Sequence, residues 1–200
     1  SIANQTNINC NGDLTGSVEI LAINGTATYQ FDIGTGLVAA NTFSGLAAGN
    51  YSVTVQDANG CTDTVNVEIT EPPVLNAQLV ATIDVSCNAA TDGEITVSAT
   101  GGTSAYEFSI DGVNFLANNT FSNLSAGNYT ITVRDANGCL ATVPATINEP
   151  AAVSIVLNGQ TVAGCGVCDG TANITPSGGA GGFSYLWTSG ETIQDAVALC

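Results

Sequence analysis

The sequence predicts an all-β fold made of tandem repeats, and three observations lead to this prediction. Residues 49–61 (GNYSVTVQDANGC) return almost unchanged as residues 127–139 (GNYTITVRDANGC), an interval of 78 residues. Cys10, Cys87 and Cys165 recur at intervals of 77 and 78 residues. Apolar and polar residues alternate along much of the chain, which is typical of half-buried strands. The chain is therefore expected to be an array of small β domains.

The repeated segment, called the cassette below, predicts a strand, a turn and a second strand. Tyr51, Val53 and Val55 alternate with polar residues and indicate a strand with one buried face. The next residues, 57–60 (DANG), favour a hairpin turn, because Asp binds its own backbone two residues on and Asn-Gly accepts positive φ. After Cys61 the alternation resumes, which predicts the returning strand.

The residues before the cassette favour an immunoglobulin-like β-sandwich. Leu46, Gly49 and Tyr51 keep the spacing of Leu124, Gly127 and Tyr129, and this pattern resembles the tyrosine corner of such sandwiches. The predicted fold is therefore a tandem series of immunoglobulin-like sandwiches of about six or seven strands each, arranged end to end and stapled by disulfides.

Two other strands align across the repeats. The second strand of each repeat places apolar residues inward, at Val18/Ile95/Ala172 and Ile20/Val97/Ile174. The third strand collects the large aromatic residues at Tyr29/Tyr106/Phe183, Phe31/Phe108/Tyr185 and Ile33/Ile110/Trp187. We interpret these columns as core rather than as a ligand-stacking platform, because they recur in every repeat and a small sandwich needs bulk inside.

Proline-containing linkers mark the predicted domain boundaries. They are residues 70–73 (TEPP) and 148–151 (NEPA). The domains are then 1–71, which lacks the start of its first strand, 72–149, and 150–200, which stops before its cassette. Such short linkers favour an extended, semi-rigid string of domains.

Charge and composition exclude several classes of function. The chain has 17 acidic residues, one basic residue and no histidine, a net charge of −16, so nucleic acid is not an expected partner. No apolar run is long enough to cross a bilayer, and direct membrane insertion is not expected. Without His or Lys the common general bases are missing, so we expect no enzyme activity and no catalytic residues. Seven periodic cysteines indicate an oxidising, extracytoplasmic setting.

The cysteines are predicted to form disulfides. The repeat alignment pairs Cys10 with Cys61, Cys87 with Cys139, and the extra cysteines of the third repeat, Cys168 and Cys200, with each other. The partner of Cys165 is expected beyond residue 200. The rival bridge Cys165–Cys168 would close a very tight ring, and a zinc site at this CxxC lacks enough further ligands.

No cofactor is expected, although calcium remains an alternative. The Asp-Ala-Asn-Gly turns, the turn acids Asp13, Asp92 and Asp169, and the linker acids Glu71 and Glu149 supply oxygen ligands of the type that Ca²⁺ binds at domain junctions. The same residues also fit ordinary turn chemistry, and no dense Asp-x-Asp-x-Asp loop occurs. We favour the turn interpretation and predict no metal ligands.

Taken together, residues 10–12 (CNG), 92–93 (DG), 101–103 (GGT), the cassette and the closing Glu-Pro resemble the SprB-type repeat. The resemblance implies a segment of a large cell-surface adhesin of gliding Bacteroidota, exported across the outer membrane by the type IX secretion machinery. Its implied role is an extended stalk or filament that displays or mediates adhesion. Alternatives are a surface-layer or filament subunit and carbohydrate-binding repeats. The implied partners are neighbouring repeats, the secretion machinery and surface polysaccharide or glycan.

Overall fold

A computed structural model describes residues 1–200 and contains strands but no helix. The strands are β1 (Ile2–Thr6), β2 (Gly16–Ile20), β3 (Gln30–Asp32), β4 (Thr42–Leu46), β5 (Gly49–Gln56), β6 (Thr62–Ile69), β7 (Asn76–Ile83), β8 (Gly93–Thr100), β9 (Glu107–Ser109), β10 (Thr120–Leu124), β11 (Gly127–Arg134), β12 (Leu140–Ile147), β13 (Ser154–Thr161), β14 (Gly170–Ser177) and β15 (Ala196–Leu199). The all-β prediction is confirmed.

The sheet order reproduces immunoglobulin-like topology. In the first repeat, one sheet has the order β1-β2-β4 and the other the order β3-β5-β6. The second repeat has the same two orders, β7-β8-β10 and β9-β11-β12, and the third has one sheet, β13-β14-β15. Two three-stranded antiparallel sheets, one with the first, second and fourth strands of a repeat and the other with the third, fifth and sixth, are the arrangement of an immunoglobulin-like sandwich.

The core of the first repeat draws on both of its sheets. Val18 and Ile20 of β2 are almost fully buried and cluster with Phe31, Val53 and Val67 of the facing sheet. The equivalent inward residues of β8, Ile95 and Val97, are also fully buried. The period-2 pattern of the second strand is therefore confirmed as a core face.

The predicted tyrosine corners are present. The hydroxyl of Tyr51 donates to the carbonyl oxygen of Ala47 at 3.0 Å, and that of Tyr129 donates to Ser125 O at 2.8 Å. Each bond fixes the crossing that leads into the cassette strand, because it ties the strand start to the preceding loop.

By compactness the chain divides into two units that do not coincide with the predicted repeats. One consists of Ser1–Gln78, Val97–Asn119 and Thr130–Val143, and the other of Leu79–Thr96, Thr120–Tyr129 and Pro144–Cys200. The division runs across the second repeat, and the domain boundaries 1–71, 72–149 and 150–200 stay a prediction.

The first strand of each later repeat is more exposed than its apolar alternation indicates. Leu79 and Ile83 of β7 are 42% and 55% exposed, and every residue of β13 is exposed. Both strands lie at the edge of a three-stranded sheet. Edge position alone does not expose a strand, since the edge strands β6 and β12 bury Val67, Ile69 and Ile147. The apolar face of an edge strand is buried only where a facing sheet covers it.

The aromatic columns are core in part. Phe31 and Phe108 are buried, whereas their neighbours Tyr29 and Tyr106 are half-buried and donate their hydroxyls to backbone carbonyl oxygens. In the third repeat no strand forms at this place, and Phe183 is 36% exposed. The core interpretation therefore holds for the first two repeats, whereas in the third Phe183 is exposed and Tyr185 and Trp187 are half-buried.

The only basic side chain is held on a central strand, which leads to a prediction about proteolysis. Arg134 of β11 donates from Nε and Nη2 to Glu107 Oε2 at 3.1 and 2.6 Å, and its guanidinium lies 4.1 Å from the centre of the Phe115 ring. Trypsin needs an extended, unpaired segment, so we expect the native chain to resist trypsin in a time course followed by mass spectrometry. Cleavage after Arg134 as fast as in the urea-unfolded chain would contradict stable pairing of β11.

Candidate functional site

The candidate site is the junction at the end of the first repeat, where a disulfide joins Cys10 to Cys139 with a Cα separation of 5.5 Å. Cys10 lies in the loop between β1 and β2, and Cys139 lies at the cassette turn between β11 and β12. The bridge therefore links the first repeat to the second.

The predicted pairs Cys10–Cys61 and Cys87–Cys139 are wrong. Cys61 and Cys87 are exposed and unpaired, as is Cys165. The physical reason is that the two cysteines of one repeat lie at opposite ends of the sandwich. Cys10 neighbours the linker that follows β6, whereas Cys61 precedes the first residue of that eight-residue strand. A strand of this length spans roughly 25 Å, far beyond the reach of a disulfide.

The third repeat contains the Cys168–Cys200 disulfide that the repeat alignment predicts, with a Cα separation of 4.2 Å. It joins the loop before β14 to the end of β15. Cys165 is bonded to neither of them. The tight Cys165–Cys168 ring is thus absent, and the partner of Cys165 stays a prediction.

The cassette turn is organised by its first residue, Asp135. Its Oδ1 accepts the backbone N–H groups of Asn137 and Cys139, each at 2.9 Å, and its Oδ2 accepts that of Thr103 at 2.8 Å. Asp135 is 4% exposed, so these three bonds form in a place that water hardly reaches. The predicted turn chemistry is present, and it also holds the backbone of Cys139.

Glycine is required where the Gly-Gly pair of the same repeat approaches this carboxylate. A Cβ atom added at Gly102, whose φ is +55°, would lie 2.5 Å from Asp135 Oδ2. The N–H of Gly102 donates to the carbonyl oxygen of linker residue Pro73 at 2.8 Å. The Gly-Gly pair that precedes the aromatic strand therefore packs against both the turn and the linker.

A side-chain hydrogen bond beside the disulfide joins the same two segments. Asn137 Nδ2 donates to Asn9 O and to Thr103 Oγ1, both at 3.0 Å. In the first repeat, the equivalent Asn59 donates to Thr26 Oγ1 at 3.0 Å. The contact within the repeat is thus kept in both cassettes, and the contact to Asn9 is specific to the junction.

The linker acids bind backbone donors. Glu71 Oε2 accepts the N–H of Gly12 at 2.7 Å, and Glu149 Oε2 accepts that of Ala89 at 2.8 Å. The turn acid Asp92 accepts the N–H of Ser86 at 3.0 Å. The described residues contain no group of three His, Cys, Asp or Glu side chains placed to hold a metal ion. Binding of calcium stays untested, and these carboxylates have a structural role as hydrogen-bond acceptors.

Several turn carboxylates are held in the ionised form. The N–H groups of Asn114 and Val113 donate to Asp111 and hold the pKa of that carboxyl well below its usual range. The N–H of Thr26 likewise lowers the pKa of Asp57. In each case the backbone bonds favour the charged form.

These lowered pKa values predict a loss of stability in acid. The folded-state pKa lies below the unfolded value near 4, so the stabilisation is present above about pH 4 and is lost as the pH falls through the folded-state pKa. We expect the melting temperature to be flat from about pH 7 to 5 and to fall between about pH 4 and 2. The variant Asp111→Asn keeps an acceptor oxygen that does not titrate and should show a smaller fall. A melting temperature that is constant or rises over that range would contradict the role of the turn carboxylates.

Fold and junction together define this chain as a tandem array of β-sandwich repeats with a covalent link between the first two. The model of the SprB repeat matches residues 2–38, 79–115 and 165–192, just over half of the chain. The chain belongs to the SprB repeat family. No curated protein matches it.

The chain also has distant likenesses among solved structures. The C-terminal 282-residue fragment of intimin, solved with the intimin-binding domain of the translocated intimin receptor, is 16% identical, with 79% of this chain and 67% of that chain covered and a TM-score of 0.39. The fibronectin(III)-like modules of Clostridium thermocellum CbhA are 16% identical, with 74% of this chain and 94% of that chain covered and a TM-score of 0.33. The N-terminal four Ig domains of Dscam1 are 16% identical, with 66% of this chain and 34% of that chain covered and a TM-score of 0.30. No statement about function follows from these likenesses. None of the segments of the chain forms a helix that is long and apolar enough to cross a membrane.

Proposed function

We propose that this chain is a segment of a load-bearing, non-catalytic stalk of a cell-surface adhesin. The observation that carries the proposal is the disulfide between Cys10 and Cys139, which lies across a junction that hydrogen bonds of both linker and turn already hold. A covalent bond at this place transmits tension from one repeat to the next without unfolding either.

Membership of the SprB repeat family supports the adhesin part of the proposal. The finer features that we attach to it are export through the type IX secretion machinery, display outside the outer membrane and service in gliding motility. A net charge of −16 keeps such repeats soluble and discourages their association with one another.

The proposal is tested by pulling single molecules of the full chain from its two termini. Cys10 and Cys139 are 129 residues apart, so the intact disulfide withholds about 450 Å of contour length. We expect this length to appear only after a thiol reductant is added. The variant Cys61→Ser with Cys87→Ser, which removes two unpaired thiols, is the matched control and should behave like the parent. Release of the full length from the oxidised chain would overturn the load-bearing role.

A second measurement separates a stalk from a binding surface. The labelled full chain is applied to an array of bacterial and plant glycans, and we expect no saturable binding, because a stalk displays a binding domain without binding glycan itself. Saturable binding would replace the stalk with directly carbohydrate-binding repeats. The end-to-end arrangement stays a prediction, and solution scattering should give a radius of gyration well above the roughly 16 Å of a compact 200-residue globule.

A further inference from the structure

The arrangement around the first linker recurs around the second. Asn11 Nδ2 donates to Pro72 O at 2.9 Å, and the equivalent Asn88 Nδ2 donates to Pro150 O at 3.3 Å. The linker acids repeat the same bond, from Glu71 to Gly12 N and from Glu149 to Ala89 N, at 2.7 and 2.8 Å. These pairs occupy equivalent positions one period apart, with Ala89 in the place of Gly12, so both linkers are held by the same hydrogen bonds.

The Gly-Gly pair also docks in the same way at both places. Gly102 N–H donates to Pro73 O at 2.8 Å, and Gly179 N–H donates to Ala151 O at 2.6 Å. A Cβ atom added to the preceding glycine, Gly101 or Gly178, would collide with the carbonyl oxygen of the residue that follows the linker, Val74 or Ala152. The third repeat therefore begins on the second linker as the second repeat begins on the first.

One member of the first arrangement has no counterpart at the second. Cys10 is bonded to the cassette cysteine Cys139, and the cavity beside it is lined in part by Gly138, Cys139 and Leu140. Cys87 occupies the position of Cys10 but is exposed and unpaired. The surface cavity beside it is lined only by residues 86–88, 151–153 and 179–184, with no cassette turn in its wall.

We propose that Cys87 and this cavity are a covalent docking site for the cassette turn of the third repeat, an Asp-x-Asn-Gly-Cys hairpin. The general rule is that the cysteine after the first strand of each repeat bonds the cassette cysteine of the next repeat. By this rule Cys61 takes the early cysteine of a preceding repeat and Cys165 takes the cassette cysteine of a following one. Successive disulfide loops then overlap, so that a disulfide joins the two repeats at every junction of the array.

The rule accounts for all seven cysteines. Cys10 is bonded to Cys139 and Cys168 to Cys200, and the rule assigns each of the three unpaired cysteines a partner that residues 1–200 do not contain. The inference concerns covalent connectivity, and it holds whether the array serves as a stalk or as a binding surface.

Each bond forms by an ordinary oxidation that needs an external disulfide. Two thiols lose two protons and two electrons, a bond forms between their sulfurs, and the disulfide oxidant is reduced to two thiols. The exposure of Cys87 lets an attacking thiolate reach it.

The test completes the third repeat with the sequence of this chain. The full chain is extended after Cys200 by a copy of residues 126–149, which carries a copy of Cys139 on its own DANG turn. The protein is refolded with reduced and oxidised glutathione, its thiols are alkylated, and its disulfide-linked peptides are mapped after digestion at acidic residues. We expect a peptide that joins Cys87 to the copied cysteine, and unpaired thiols falling from three to two, at Cys61 and Cys165.

The matched control carries serine in place of the copied cysteine and should keep three unpaired thiols. A bond from the copied cysteine to Cys165, or a Cys87 that stays alkylated, would overturn the rule.

A second variant tests the rule without any extension. In the full chain with Cys139→Ser, Cys10 loses its partner, and we expect four unpaired thiols including Cys10 and Cys61. A Cys10–Cys61 bridge in that variant would show that the cysteines of one repeat pair with each other after all, and would overturn the rule independently.

Discussion

Replacing both Cys10 and Cys139 by serine is expected to lower the free energy of unfolding of the first two repeats by about 5 kcal/mol. The bridge closes a loop of 129 residues, and in the chain-entropy model the denatured chain regains about that much free energy when such a loop opens. The native state loses a junction contact as well. Because small domains are stable by only about 5–15 kcal/mol in all, the melting transition should move to much lower temperature.

The measurement is calorimetry of the parent and three variants under identical conditions. Removal of Cys168 and Cys200 opens a loop of only 32 residues, for which the same model gives about 4 kcal/mol, and it should affect the third repeat alone. Serine at both Cys61 and Cys87 should change nothing, since neither is bonded. Equal transitions for the parent and the Cys10/Cys139 variant would show that the bridge adds no stability.

The strands and turns of this chain were predictable because their determinants are local. Val18 and Ile20 are buried on an alternating strand, and Asp57 binds the N–H of Asn59 as the DANG pattern requires. The tyrosine corner is equally local, since Tyr51 reaches back only four residues to Ala47. Alternation, turn residues and short-range side-chain bonds are all visible in a single stretch of sequence.

The disulfide partners were not predictable from the spacing. A cassette cysteine can bond the early cysteine of its own repeat or that of the preceding repeat. Both pairings give the same cysteine spacing along the sequence, so comparison of the repeats does not distinguish them. What distinguishes them is that the loop of Cys10 and the turn of Cys61 lie at opposite ends of β6. Following the up or down direction of successive strands before pairing the cysteines would have placed Cys10 and Cys61 at opposite ends of the repeat.

The exposure of the first strands is not visible in their sequence either, for a different reason. Leu79 and Ile83 alternate as a core strand would, but β7 is an edge strand and its burial depends on what covers it. Coverage is a property of the assembled sheets and leaves no mark in the pattern of the strand itself.

The variant Asp135→Ala is expected to destabilise the chain by about 3 kcal/mol or more. The carboxylate accepts three backbone N–H groups, those of Thr103, Asn137 and Cys139, at a position where it is 4% exposed. Removing a charged acceptor leaves buried donors unsatisfied, at a cost of about 1–3 kcal/mol each, reduced where water enters. Because one of the donors is Cys139 itself, the variant should also slow formation of the Cys10–Cys139 bridge.

The chain offers a matched control for this variant. Asp57 makes the corresponding bonds to Thr26, Asn59 and Cys61, but it is more exposed, and Cys61 is unpaired. Asp57→Ala should therefore have the smaller effect on unfolding and none on the bridge.

The two effects are separated by urea unfolding of oxidised protein and by counting thiols during refolding in a glutathione buffer. The conservative variant Asp135→Asn adds a further distinction. Its amide oxygen can still accept from Asn137 and Cys139, whereas its NH₂ group would face the N–H of Thr103, so its stability should lie between those of the parent and Asp135→Ala. If Asp57→Ala and Asp135→Ala proved equally mild, the turn carboxylate would not be what positions Cys139, and the bridge would have to be guided by the linker bonds of Glu71 and Asn11 instead.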